Sequence, residues 1–220
     1  MTTVGSARVH AEGATGNTPT FDLLIITDGR TRLLERIERA LLGVLPGRVA
    51  IMLREPQLKT AELFALGRAL RQATDAAGAL LLVSDRLDVA LAIEADGVQL
   101  PESGFAPEVA RGLLGKHAIL GASRHDRVGL EAAAARGADF ATLSPLHAVE
   151  GKGKPLGLRG FAAEVERAPL PVYALGGVTL EDVSALRAAG AHGIAVMREV
   201  LSAADPNART RDLLEALARR

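Results

Sequence analysis

Eight short aliphatic runs recur along this 220-residue chain, each separated from the next by a longer stretch of helical periodicity. That alternation implies repeated βα units and a parallel sheet, because parallel strands need a crossover and the crossover is normally a helix. The runs are Leu23–Thr27, Val49–Arg54, Ala79–Ser84, Gly97–Leu100, Ala118–Ala122, Phe140–Leu143, Val172–Leu175 and Gly193–Val196. They are mostly apolar throughout rather than alternating, as expected of strands covered on both faces. Helices are expected at Leu33–Leu45, Thr60–Ala77, Leu87–Glu94, Pro107–Leu114, Leu130–Arg136, Leu158–Arg167, Leu180–Ala189 and Asn207–Arg219, several with apolar residues at i, i+3, i+4 and i+7. Gly78, Gly115, Gly137 and Gly190 fall just past helical stretches, where a left-handed cap residue is wanted. Eight such units in one chain predict the α/β class and a single-domain (β/α)8 TIM barrel over residues 21–220, preceded by a disordered tail over residues 1–20. An open doubly wound sheet would need fewer strands, and no Gly-x-Gly-x-x-Gly follows a strand.

Composition narrows the partners. Lysine plus arginine equals aspartate plus glutamate at 26 each, which removes the electrostatic case for nucleic acid or an anionic membrane, so any phosphate recognition is local. Cysteine is absent, which excludes a disulfide framework, a thiolate metal site and a thiol nucleophile, and suits the cytoplasm. Met1 to Thr20 lacks the apolar core of a signal peptide, and no later run is long enough to span a bilayer. With aromatics at 3%, the core is expected to be aliphatic.

In a barrel of this kind the chemistry sits where strands end and loops begin. Those positions are polar here: Arg54 and Glu55, then Ser84, Asp85 and Arg86, then Ser123, Arg124 and His125, then Ser144 to His147 and a loop carrying Lys152 and Lys154. Gly176 and Gly177 expose backbone N–H groups after the seventh run, and Val196 and Met197 follow the eighth, which together suit a phosphate. The competing reading of the glycine pair is a tight turn. Arg54 has a planar fork that matches two phosphate oxygens, against an ion pair with Glu55 or another acid. Asp85 suits Mg2+ as a hard oxygen ligand, against a helix cap. Lys152 and Lys154 suit closure over a polyphosphate, against plain solvation. His125 and His147 are placed for acid–base work, whereas His10, His117 and His192 receive no role.

Taken in order, Met52-Leu53-Arg54-Glu55, Ser84-Asp85-Arg86, Ala95 to Leu100, Gly121 to His125, Leu143-Ser144-Pro145 through Lys152 and Leu175 to Val178 resemble the thiamine phosphate synthase/TenI family. The resemblance implies a transferase of thiamine biosynthesis that joins hydroxymethylpyrimidine diphosphate to a thiazole phosphate with Mg2+, through a pyrimidine carbocation. It implies pyrophosphate contacts from Arg54, Ser123 and Lys152, metal ligation by Asp85, and thiazole phosphate held at Gly176, Gly177, Val196 and Met197, while Ser84 is a further candidate for binding a substrate phosphate. The chain departs from the family at Met52 and Pro56, at Ser84, at Val149 and Gly151, and around Ser103 and Gly104, where a second metal carboxylate is expected. Glu102 and Lys59 are the nearest replacements. These departures keep two alternatives open: a TenI-like thiazole tautomerase with His147 as its acid–base group, and a non-catalytic binder of a thiamine-related phosphate. Partners are expected to be small phosphate or diphosphate molecules; the possibility of a homo-oligomer stays open.

Overall fold

The computed structural model describes residues 18–219. Eight parallel strands close into a barrel in chain order: β1 Leu23–Ile26, β2 Val49–Leu53, β3 Leu80–Ser84, β4 Gly97–Leu100, β5 Ile119–Arg124, β6 Phe140–Leu143, β7 Val172–Leu175 and β8 Gly193–Val196. Closure is made by β1 against β8, with Leu23 opposite Ile194, Leu24 opposite Ala195 and Ile25 opposite Val196.

Each strand buries two faces, and its period of two sorts residues between two compartments. Leu24, Ile26, Ala50, Met52, Leu82 and Ala195 point inward. Their neighbours Leu23, Ile25, Val49, Ile51, Leu81 and Val83 point outward, into the layer beneath the helices. The interior is plugged at its N-terminal end by Phe21, Phe140 and Tyr173, whose ring centroids lie 5.0–5.4 Å apart. Burial holds the Tyr173 phenol protonated, and it donates to the Phe21 carbonyl at 2.6 Å. With that end filled, only the opposite end of the barrel is free to be hollow.

Outside the barrel run α1 Leu33–Ala40, α2 Thr60–Ala77, α3 Leu87–Ala92, α4 Pro107–Leu114, α5 Arg127–Ala135, α6 Gly157–Val165, α7 Val183–Ala188, α8 Arg198–Leu201 and α9 Pro206–Ala218. Two match the periodicity residue for residue, and α1 stops five residues before the expected Leu45, ahead of a turn at Gly43 with φ 68°. α5 begins earlier than its apolar pattern because Asp126 caps it, accepting from the Gly129 N–H at 2.8 Å. The segment at Leu180 opens as a 3-10 turn, Leu180–Asp182, before α7. The four-residue α8 has no periodicity long enough to be foreseen.

Of the expected tail, residues 1–17 and His10 within them lie outside the described residues. Pro19 is buried against the barrel floor, and the Thr20 hydroxyl donates to the Gly47 carbonyl at 3.2 Å. Repeated acids clamp that floor. Asp96 accepts from the Leu81 N–H at 2.7 Å and from Arg71 at 2.8 Å, and Asp139 accepts from the Leu120 N–H and from Arg111, both at 2.8 Å. Each pair ties a helix to a strand start, and breaking such a pair typically costs about 3–5 kcal/mol when it is buried.

Where strands approach most closely, side chains are excluded. A Cβ on Gly97 would collide with the Ile119 carbonyl, whereas one on Gly112, in exposed α4, meets nothing within 4 Å. Gly97→Ala is therefore expected to lose at least the ~1–3 kcal/mol of ordinary overpacking. Gly112→Ala is expected to gain roughly 0.5–1 kcal/mol. Urea unfolding midpoints of the two variants check the pair.

Candidate active site

At the C-terminal ends of the strands lies a cavity of about 930 Å3. Arg54 after β2, Ser84 at the end of β3, Ser123 on β5 and Lys152 on the β6–α6 loop line it. Gly176 and Gly177 after β7 line it too, with Val196 and Met197 at the end of β8. Residues spread over almost 150 positions of sequence thus face one hollow, which is the consequence of closure.

Arg54 is not consumed by its neighbour. Glu55 is buried and accepts from the Gly29 N–H at 2.9 Å and the Gln57 amide at 2.6 Å. The Arg54 backbone N–H is fixed by the Thr27 hydroxyl at 2.9 Å, and among the described residues no acid pairs with its exposed guanidinium. Lys152 is exposed on its loop, and Arg198 adds a third cation to the lining. Against them stand Glu102 and Glu199, of which Glu199 is already paired with Arg209. The cavity therefore carries excess positive charge in a chain that is neutral overall.

Gly176 has φ 100°, and a Cβ there would meet the Pro145 Cα at 2.8 Å. The glycine is required both by its backbone angle and by the β6–α6 loop packed against it. That loop is docked by the Leu146 and His147 N–H groups, each donating at 2.9 Å, to the Leu175 and Gly176 carbonyls.

The two metal candidates occupy neighbouring loops. Glu102 borders the cavity, with its Oε2 at 3.9 Å from His125 Nε2. Asp85, at φ 62°, is outside the lining, and its Oδ1 lies 2.7 Å from where a Cβ of Gly104 would stand. Gly104 is thus the small residue that leaves room for the Asp85 carboxylate. Among the described residues, no group of three or more His, Cys, Asp or Glu side chains converges on one point. Lys59 does not reach the cavity lining; it is exposed at the start of α2, its backbone N–H donating to Glu62 at 2.9 Å.

The histidines separate. His147 stands outside the cavity lining, with Nε2 3.0 Å from both carboxylate oxygens of Asp182. His125 borders the cavity instead, and its Nδ1 lies 2.6 Å from the Ser144 carbonyl. A carbonyl can only accept, so Nδ1 carries a proton, and Nε2 is turned toward the Glu102 carboxylate. Gln99 lies inside β4. It is buried under the cavity and donates from Nε2 to the Ser123 hydroxyl at 3.0 Å and the Thr142 hydroxyl at 3.1 Å. A polar residue inside the apolar run Gly97–Leu100 is the signal that marks it.

Residues 23–200 match the sequence profile described as thiamine monophosphate synthase. The chain belongs to the thiamine monophosphate synthase family. A relative in Geobacter sulfurreducens is 42% identical over 204 residues, covering 90% of this chain and 94% of that protein. The thiamine-phosphate synthase of Moorella thermoacetica is 38% identical over 208 residues, covering 91% and 98%. The solved structure of thiamine phosphate pyrophosphorylase from Pyrococcus furiosus superposes with a TM-score of 0.82 at 33% identity, covering 91% of this chain and 96% of that one. The family match spans every strand and every loop that borders the cavity.

His147 and Asp182 give this family member a measurable local feature. Burial pushes the Asp182 carboxyl up, but bonds from the Thr179 N–H and from His147 outweigh it and hold the group below its usual value. A depressed carboxyl adds stability above its unfolded value of about 3.9, and that stability is lost as pH falls through the folded value. His147→Ala is expected to move the Asp182 titration upward by carbon NMR, and to leave turnover within about threefold because the imidazole borders no substrate space.

Proposed function

We propose that this chain condenses hydroxymethylpyrimidine diphosphate with thiazole phosphate to give thiamine phosphate and pyrophosphate. The observation that carries the reading is that one cavity is lined both by cations without an acid partner among the described residues and by the glycines after β7. The diphosphate needs the first and the thiazole phosphate the second.

In this reading Arg54 and Lys152 hold the diphosphate, with the Ser84 and Ser123 hydroxyls as further donors. As the carbon–oxygen bond to the diphosphate breaks, negative charge grows on the leaving group, and preorganised cations stabilise that charge more than they stabilise the substrate. The pyrimidine methylene carbon becomes cationic and is captured by the thiazole nitrogen, held close by its phosphate on Gly176, Gly177, Val196 and Met197. Gln99 fixes the Ser123 hydroxyl from beneath. Asp85 and Glu102 are the groups that would hold Mg2+, a cation content with one or two carboxylates plus phosphate oxygens and water. When bound, it would supply further charge neutralisation for the diphosphate. The phosphorylated small-molecule substrates and the cysteine-free sequence support a cytoplasmic setting.

A second reading rests on His125. Its imidazole borders the cavity beside the Glu102 carboxylate, as a tautomerase acid–base group must, and that reading needs only the phosphate-binding glycines. Conversion of an aminothiazole carboxylate phosphate that His125→Ala abolishes, without any condensation, would select it.

A charge-assisted hydrogen bond is worth about 1.5–3 kcal/mol and each 1.36 kcal/mol is tenfold in rate, so Arg54→Ala and Lys152→Ala should each lower kcat/KM by roughly 10- to 100-fold. The check is thiamine phosphate formation from the two substrates with Mg2+. Wild-type protein that binds both but forms no product would refute the synthase.

A further inference from the structure

Beyond the barrel mouth, a second hollow of about 410 Å3 lies between α1 and the segment joining α8 to α9. Its walls carry Arg30, Arg32, Arg36 and Arg39 against one acid, Glu35. Four guanidinium groups around one opening need an account in a chain of zero net charge.

Two of them are committed. Arg36 grips Asp28 with two bonds of 2.8 Å and the Leu201 carbonyl with a third of 2.8 Å. Burial pushes the Asp28 carboxyl up, yet the Arg36 bonds and the Arg30 N–H prevail and keep it below the usual range. Arg32 closes on Glu35 through bonds of 2.6 and 2.5 Å.

The other two are held more loosely. Arg30 lies near enough to Asp28 to lower its carboxyl, but its side chain bonds only a hydroxyl, Ser202 Oγ at 3.2 Å. Arg39 has Asp205 Oδ1 at 3.9 Å, but that same oxygen accepts from the Asn207 and Ala208 N–H groups at 3.0 and 3.3 Å as the cap of α9. Ser202, Ala203 and Ala204 form the facing wall and are too small to fill the space.

We propose that this hollow is a second anion site, separate from the cavity at the barrel mouth, which takes the phosphate group of a small molecule on Arg30, Arg39 and the Ser202 hydroxyl. Guanidinium forks match phosphate oxygens in pairs, and a hydroxyl supplies a third donor. A volume near the lower end of small-ligand sites, roughly 300–1,000 Å3, leaves room for an organic part beside the anion.

The test is isothermal titration of the full chain with inorganic phosphate, pyrophosphate and adenosine 5′-monophosphate. Lys152→Ala weakens the cavity at the barrel mouth and should leave the second binding event in place. Arg30→Gln with Arg39→Gln should weaken that event by roughly tenfold or more, the equivalent of one to two lost charge-assisted bonds. Both arginines are exposed, so the thermal melt of the double variant should match that of the wild type. Ser202→Ala keeps both charges and should weaken binding less. A tighter adenosine 5′-monophosphate than inorganic phosphate supports a phosphate ester as occupant, and equal affinities support a free anion. An unchanged affinity and stoichiometry in the double arginine variant, or no binding by any of the three probes, overturns the proposal.

Discussion

The parallel pairing of β1 with β8 is the constraint on which the rest depends. Those Cα partners turn an eight-stranded ribbon into a ring, and only a ring brings the loop after β2 within one cavity's width of the loops after β7 and β8. Closure also divides the protein into ends with different work. At the floor, the aromatic trio packs the interior, and the acid–arginine clamps at Asp96 and Asp139 tie helices to strand starts. At the mouth, small inward residues and glycines leave the volume that substrates need.

Electrostatics at the mouth follow from what the neighbours do. Glu55 is the acid adjacent in sequence to Arg54, and it is drawn away to the Gly29 N–H and Gln57. Glu199 is drawn away to Arg209. Each diversion removes an acid from the neighbourhood of the lining cations Arg54 and Arg198 and leaves their charge available to an anion. The proposed condensation, in which a charged leaving group departs and a nitrogen captures a carbocation, asks for this kind of environment and for little proton transfer. That is consistent with a mouth that holds cations, hydroxyls and glycine amides and only one imidazole among the described residues.

The barrel was legible because its signals are local and repeated: a short apolar run and a helical period eight times over, with a capping glycine after four of the helices. Boundaries were lost where a single capping residue decides them, as Asp126 does for α5, or where the helix is one turn long, as at Arg198–Leu201. The strand-end rule found Arg54, Ser84, Ser123, Gly176, Gly177, Val196 and Met197, all of which border the cavity. It does not say which way a side chain turns. His147 and His125 both follow strands, yet one is drawn outward by Asp182 and the other is pinned inward by the Ser144 carbonyl. Nor does it weigh a residue inside a strand, which is how Gln99 gained a place only once its hydrogen bonds were seen.

The central claim is that one closed cavity holds two anions at once, the diphosphate on its cations and the thiazole phosphate on its glycines. A crystal structure with thiamine phosphate and pyrophosphate bound tests it most directly. The account predicts pyrophosphate on Arg54 and Lys152 and the phosphate of the product against the amides of Gly176, Gly177, Val196 and Met197. Either anion found away from these groups, with the cavity left to water, would contradict it.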